Sequence, residues 1–248
     1  MNKVVLITGA AKGIGKAIAL QLAKNNYDIV INYLTSEKEA FELRQTIVED
    51  CKVNCLAIRA DVSKEDEVKA MISQINEELG RVDILINNAA IDLSNLYSLK
   101  TTEEFRKVLD VNVIGAYNCA KEVAKGMLDN KYGRIINISS TNGINTYYPM
   151  SIDYDASKAA LISLTHNLAI QYAPYINVNA IAPGFIGTKS ELEGYDEEFL
   201  KQEQEKILVG RYGEPEEVAN LVKFLISDEA NYINNTVIRI DGGQIGSV

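Results

Sequence analysis

Tryptophan is missing from this 248-residue chain, histidine occurs once and cysteine three times. A Ser-His-Asp hydrolase therefore has no base unless His166 itself lies at the site, and His166 reads as an ordinary helix-face residue. Cysteine is too scarce for a disulfide framework. Cys51, Cys55 and Cys119 are an odd set, and the Cys51/Cys55 spacing has no second pair to complete a zinc site, so reduced thiols and no metal are expected. Long apolar runs are absent too: none approaches the roughly 18 residues of a membrane helix. Val4–Ile7 is too short for the apolar core of a signal peptide and runs into glycines rather than a cleavage site, which points to a cytoplasmic protein. Basic residues are in deficit, 25 against 34 acidic, for a net charge of −9. Such a surface repels phosphate backbones and anionic lipid, which argues against nucleic acid or a membrane as partner. No Pro/Ser/Gly-rich linker, charge block or internal repeat divides the chain, so one domain over residues 1–248 is expected.

What the chain does have is alternation. Short β-branched runs, Val4–Thr8, Ile29–Tyr33, Val53–Ala60, Ile84–Asn87, Arg134–Ser139, Asn177–Ile181 and Val237–Ile240, are nearly continuous in apolar residues, as strands buried on both faces should be. Between them, amphipathic stretches predict helices near Gly15–Lys24, Glu37–Glu49, Lys64–Glu78, Glu103–Asp129, Asp153–Tyr172 and Glu216–Leu225. Ser36, Ser63 and Pro215 read as helix-start signals. Strand–helix alternation over the whole length predicts an α/β fold, one open parallel sheet with helices on both faces. The polar, acidic stretch at about 187–213 interrupts the rhythm. It predicts one or two surface helices, and its place after the carboxyl end of a strand suits a lid over a substrate.

Two motifs carry chemistry. The first strand ends in Thr8-Gly9-Ala10-Ala11-Lys12-Gly13-Ile14-Gly15, followed by a helix. Glycines there allow a tight turn and close backbone approach, and the helix N-terminus offers unpaired N–H groups to a pyrophosphate. Further on, Tyr154 and Lys158 are four apart, hence on one face of a helix. An ammonium so placed is expected to favour phenolate and lower the tyrosine pKa, making Tyr154 a usable proton donor or acceptor.

With these two motifs in order come Asp61-Val62 after the third strand, Asn87-Asn88-Ala89-Ala90 after the fourth, Asn112, Ser140, Pro183-Gly184 with Thr188, and Asp241-Gly242-Gly243. On these residues the chain resembles the short-chain dehydrogenase/reductase family over essentially its whole length. The resemblance implies a Rossmann-type doubly wound sheet of seven parallel strands in the order 3-2-1-4-5-6-7. It implies Tyr154 as general acid toward a substrate carbonyl, and Lys158 as the group that tunes it and holds the nicotinamide ribose. Ser140 is implied as hydrogen-bond donor to the same oxygen, and Asn112 as the residue that positions a relay water. Ser140, which opens a Ser-x-x-Gly step, is preferred to Ser139, a strand-end hydroxyl. Gly9, Lys12, Gly13, Ile14 and Gly15 would hold the pyrophosphate turn, Asp61 and Val62 the adenine, and Asn88 and Ala89 the adjacent ribose. Pro183, Gly184, Ile186 and Thr188 would lie against the carboxamide and pyrophosphate. Two departures stand out: the Ser140-to-Tyr154 loop is one residue longer than in many relatives, and Ala90 stands where glycine is usual.

The end of strand two, Asn32 to Ser36, has no acid for a ribose 2′-hydroxyl, while Lys12, Thr35 and Ser36 could meet a 2′-phosphate. NADP(H) is therefore expected over NAD(H). Within the family the chain looks most similar to 3-oxoacyl-[acyl-carrier-protein] reductases of fatty acid biosynthesis, implying a thioester carbonyl substrate. The acidic surface opposes docking of an acidic carrier. Tyr147-Tyr148-Pro149-Met150 could line a pocket for a free small ketone, sugar or polyol. A catalytically silent dinucleotide-binding regulator is the reading from another class. The resemblance also implies a homotetramer.

Overall fold

In the computed structural model residues 2–245 are described; Met1 and residues 246–248 of the expected domain lie outside the described residues. Seven strands form one sheet: β1 (Val4–Ile7), β2 (Asp28–Tyr33), β3 (Cys55–Arg59), β4 (Ile84–Asn87), β5 (Gly133–Ile138), β6 (Ile176–Pro183) and β7 (Val237–Ile240). Their order is 3-2-1-4-5-6-7 and every pairing is parallel, as expected. The helices are α1 (Gly13–Ala23), α2 (Glu37–Thr46), α3 (Glu65–Leu79), α4 (Thr102–Leu109), α5 (Gly115–Asp129), α6 (Ile152–Tyr172), α7 (Lys189–Gly194), α8 (Glu197–Glu205) and α9 (Pro215–Ile226).

Successive strand residues point to opposite faces, so nearly unbroken apolar strands feed two cores. On one face Val5, Ile7, Ile29, Ile31 and Ile86 pack against Ile18 and Leu22 of α1 and Val222 and Leu225 of α9. On the other, Leu6, Val30, Leu85 and Ile135 meet Met71 and Ile75 of α3 and Val123 and Met127 of α5. This is a single doubly wound, Rossmann-type domain. The parallel register brings the carboxyl ends of β1, β4, β5 and β6 to one edge. The Thr8 N–H donates to the Ile86 carbonyl at 3.0 Å and the Ser139 N–H to Ile181 at 2.7 Å. Loops leaving that edge converge, which is where such sheets bind ligands.

Local readings needed correction in three places. The long helix expected over Glu103–Asp129 is broken: α4 stops at Leu109, a wide π-turn spans Asp110–Ile114, and α5 resumes at Gly115. A similar turn, Ile47–Cys51, follows α2. Ser63 does not start α3. Lys64 occupies that position, and the Ser63 hydroxyl and N–H both turn back to the Asp61 carboxylate at 2.7 and 3.0 Å. Ser36 does precede α2, though its side chain caps nothing, whereas Pro215 opens α9 as expected. Among the described residues no helix is long and apolar enough to cross a membrane, and no cluster of His, Cys, Asp or Glu suits a metal.

Candidate active site

A cleft of about 630 Å³ opens at the carboxyl edge of the sheet. Lys12, Gly13, Ile14, Gly15 and Asn88 line one side of it, and Ser140, Tyr154 and Lys158 its floor. Pro183, Gly184, Ile186 and Thr188 close the opposite wall. Gly9, Thr35, Ser36, Asp61, Val62, Ala89 and Asn112 do not line the cleft. Thr35 and Ser36 follow β2 and Asp61 and Val62 follow β3, farther along the same sheet edge. The Val62 side chain is buried against Gly115, where a Cβ would come within 2.6 Å of it.

The glycine turn is built for backbone approach. Gly9 and Gly13 have φ of +62° and +52°, where a side chain is strained. A Cβ on Gly9 would lie 2.9 Å from the Ala89 backbone, and one on Gly15 would meet the Asn88 amide at 2.7 Å. Asn88 ties the two loops, donating to the carbonyls of Thr8 and Gly9 at 2.9 and 3.1 Å, while the Thr8 hydroxyl accepts the N–H groups of Asn88 and Ala89. No side chain caps the start of α1 and its first turn holds no acid, so its N–H groups and positive dipole end face the cleft. These residues fit the pyrophosphate of a nicotinamide dinucleotide.

Lys12 has a partner that the end of strand two did not reveal. Glu39, one turn into α2, holds its ammonium at 2.8 Å, and that pairing pulls the Glu39 carboxyl below its ordinary range.

The floor departs from expectation at Tyr154. Lys158 Nζ donates to the Ile138 carbonyl at 2.8 Å and sits 5.3 Å from the centre of the Tyr154 ring, over its face. Burial raises the Tyr154 hydroxyl well above the usual phenol range, with Glu191 and Asp92 adding to the rise and the Ser140 hydroxyl opposing it. Burial also lowers Lys158, to about 8. The expected lowering of Tyr154 by Lys158 is thus outweighed: burial at the cleft floor and the carboxylates of Glu191 and Asp92 keep the proton on the phenol.

Lys158 supplies a sign test. Below pH 8 the folded protein holds a buried ammonium, a cost absent from the unfolded chain. Between about 8 and the ordinary 10.5 only the unfolded chain keeps the proton, so this cost fades as pH rises. Lys158→Met is expected to stabilise the protein at pH 7 by about 1 kcal/mol or more, the gain shrinking through pH 8–10.5. Urea unfolding at pH 7 and pH 10 measures it; a gain equal at both pH values rejects the assignment.

Around the floor, hydrogen bonds fix the remaining groups. Ser139 is the strand-end hydroxyl expected, donating to the Lys158 carbonyl at 2.9 Å. Ser140 donates to Asn142 Oδ1 at 3.1 Å, and the Asn142 amide donates to Asp155 at 2.6 Å. Asp155 also accepts the Tyr148 N–H at 3.2 Å, tying the lengthened loop to α6. The π-turn aims Asn112 inward. Its amide donates to the Ile91 carbonyl at 3.0 Å and the Ser157 hydroxyl at 2.9 Å, and its oxygen accepts the Ile91 N–H at 2.8 Å. These bonds make the side chain a brace between the Ile91 loop and α6. Beneath it Lys100 and Asp153 pair at 2.9 Å with both side chains buried. Asp153 accepts the Tyr154 N–H at 3.0 Å, and Lys100 also donates to the Leu93 carbonyl.

The outer cleft contains residues that the motifs did not single out. Tyr148, Pro149 and Met150 line it as the aromatic loop suggested, while Tyr147 points to solvent. The 187–213 stretch folds as α7 and α8 and contributes Thr188, Ser190, Glu191, Tyr195 and Phe199. Tyr195 and Phe199 stack at 4.5 Å and Phe185 packs on Tyr212 at 4.7 Å. The Tyr148 hydroxyl donates to buried Glu203 of α8 at 2.7 Å, latching the two loops together. The signal that marks these residues is aromatic side chains inside an otherwise acidic surface stretch. His166 lies outside the cleft, 2.6 Å from Asn235.

Residues 9–244 match the family described as Enoyl-(Acyl carrier protein) reductase. The chain is 40% identical over 248 residues to 3-oxoacyl-[acyl-carrier-protein] reductase FabG of Staphylococcus epidermidis, covering 98% of this chain and 99% of that one. The acetoin dehydrogenase YohF of Salmonella typhimurium superposes with a TM-score of 0.88 at 34% identity, covering 99% of this chain and 96% of that one. A 3-oxoacyl-[acyl-carrier protein] reductase of Brucella melitensis with bound NAD superposes with a TM-score of 0.88 at 31% identity, covering 98% and 90%.

Proposed function

We propose, from the premise that this chain belongs to the short-chain dehydrogenase/reductase family, that Ser140, Tyr154 and Lys158 are the groups with which it reduces a carbonyl. The chain is an NAD(P)-dependent oxidoreductase acting on CH–OH and carbonyl groups. The observation that carries the assignment of residues is convergence: the three side chains share the cleft floor beside a glycine turn fitted to a dinucleotide. A bound nicotinamide supplies the hydride. Tyr154 supplies the proton to the carbonyl oxygen, and its raised pKa keeps that proton in place at neutral pH. Lys158, charged below pH 8, stabilises the phenolate left behind. Ser140 offers a second hydrogen bond to the oxygen as it gains charge, oriented through Asn142 and Asp155. Asn112 acts by bracing the Ile91 loop against α6. The α7–α8 segment is the substrate lid.

NADP(H) is the favoured cofactor, supported by Lys12 and by the lack of an acid between Asn32 and Ser36. The Lys12–Glu39 pair is exposed, and such pairs are weak enough for a dianionic phosphate to displace. Lys12→Ala is expected to weaken NADPH about tenfold and leave NADH unchanged, since hydrogen bonds between charged groups contribute roughly 1.5–3 kcal/mol. Glu39→Gln, which frees Lys12, is expected to tighten NADPH. Fluorescence titration with both dinucleotides measures this; equal losses for the two refute the role of Lys12.

Free thiols at Cys51, Cys55 and Cys119 suit the cytoplasm. A homotetramer is the assembly we infer, checked by light scattering at micromolar concentration. The substrate reading supported by the relatives is a 3-oxoacyl thioester. A free small carbonyl is the second, favoured by Asp92 and Glu191 in the outer cleft, which repel an acidic carrier. Rates with an acetoacetyl thioester beside a panel of free ketones and sugars decide between them. No turnover of any carbonyl with NADPH or NADH would overturn the assignment of the cleft and reopen the regulator reading.

A further inference from the structure

The outer cleft has an unusual charge. Asp92 enters from the loop after β4 and Glu191 from α7, and both line the same space above Tyr154. They are close enough to sense each other, since Asp92 helps raise Glu191, and both raise Tyr195 and Tyr154. Among the described residues neither forms an ion pair. Among the described residues the only cations lining the cleft are Lys12, which Glu39 holds at the glycine turn, and Lys158 on the floor. Among the described residues, nothing lining the substrate half therefore offsets the two carboxylates. The Asp92 carboxylate accepts the hydroxyls of Ser94 and Ser151 at 2.9 and 3.0 Å, which fixes its position at the exposed rim of the cleft. The stacked rings of Tyr195 and Phe199 line the same cleft beside Glu191.

Two unpaired carboxylates with aromatic faces are the surroundings in which a substituted ammonium is stabilised, by charge and by the ring quadrupoles together. A carboxylate, phosphate or carrier-protein group meets the opposite balance. We propose that the substrate of this cleft is a small carbonyl compound bearing a protonated amine, an amino ketone reduced to the amino alcohol, with Asp92 and Glu191 as the specificity-determining residues. This rests on the reading of Tyr154 as proton donor. The C=O π bond breaks, a C–H bond forms with the cofactor's hydride and an O–H bond with the Tyr154 proton. The ammonium is unchanged and serves only as the handle.

The test compares aminoacetone with hydroxyacetone, its neutral isostere, and with acetoacetate, using the full chain and NADPH. Wild-type kcat/KM is expected to favour aminoacetone over hydroxyacetone by about tenfold, the discrimination one partly enclosed charge pair supplies. Glu191→Gln and Asp92→Asn are each expected to reduce that ratio severalfold, and the double variant to bring it near one. A wild-type ratio of one or less, or a ratio that both variants preserve, overturns the proposal. Calorimetric binding of 1-amino-2-propanol, measured with and without NADPH, gives a readout that needs no turnover. Tyr154→Phe is expected to keep that binding and the double variant to lose it. If no carbonyl is reduced but the amino alcohol binds through Glu191 and Asp92, the catalytic reading fails, and with it the reduction, while the ammonium site stands. If it does not bind, this one fails.

Discussion

Tyr154→Phe is expected to lower kcat by about 10²–10⁴-fold, the range for removing a positioned general acid. Binding of NADPH should stay near that of the parent, because the change deletes one hydroxyl on the cleft floor and leaves the glycine turn, Asn88 and Lys158 in place. The ring remains packed under Lys158, so the fold is not the cause of the loss. Lys158→Ala differs in kind: it removes the cation that steadies the phenolate, and the ribose contact assigned to it, so both turnover and cofactor affinity should fall. Steady-state rates and dinucleotide titration on the same two preparations separate the cases. Near-parental turnover by Tyr154→Phe on the best carbonyl would show that the proton comes from elsewhere.

The largest effect on stability is expected at a pair that touches neither cofactor nor substrate. Asp153 is fully buried, and Lys100, 4% exposed, is the countercharge 2.9 Å away. Lys100→Met strands the carboxylate, and breaking a buried pair in this way costs about 3–5 kcal/mol. At roughly 2–4 °C per kcal/mol for a chain of this size, Tm should fall by on the order of 10 °C. Lys100→Met combined with Asp153→Asn should recover much of that loss, since it removes the stranded charge. A single variant within about 2 °C of the parent would mean that the pair contributes nothing. The pair also pins the Leu93–Lys100 loop to the start of α6 next to Tyr154, so residual activity should fall with it.

Strand ends, and with them the cleft, were legible because apolar runs buried on both faces leave a strong local signal, and because parallel connections send their carboxyl ends to one edge. Asn87 and Ile138 end their strands within one residue of where their apolar runs suggest. Less legible was anything decided by contact across the cleft. Spacing puts Lys158 on the same helix face as Tyr154 and so implies a lowered phenol pKa. The fold adds burial and two carboxylates from distant loops, Asp92 and Glu191, and the sign reverses. Lys12 looks free in the sequence because its partner Glu39 lies beyond the strand end where an acid would be sought. Ser63 loses its capping role to a side chain two residues back, a competition between two local hydrogen bonds that composition cannot rank. The unbroken periodicity of Glu103–Asp129 hides its turn, since one extra residue shifts the apolar stripe without erasing it.

That turn makes the chain sensitive to length where it looks most tolerant. A π-turn accommodates about one residue more than an α-turn. Deleting any one of Asp110 to Ile114 would let α4 and α5 fuse into a single regular helix, with better hydrogen bonding and no gap in its apolar stripe. Each residue subtends about 100° of a helix, so the fused version would swing position 112 away from Ile91 and Ser157 by that angle. The loop before Tyr154 shows that these chains accept an added residue between elements. Here a missing one would give a tidier helix and a disabled site, so in any lineage of such enzymes insertions and deletions should be filtered out of this short segment even where its side chains drift.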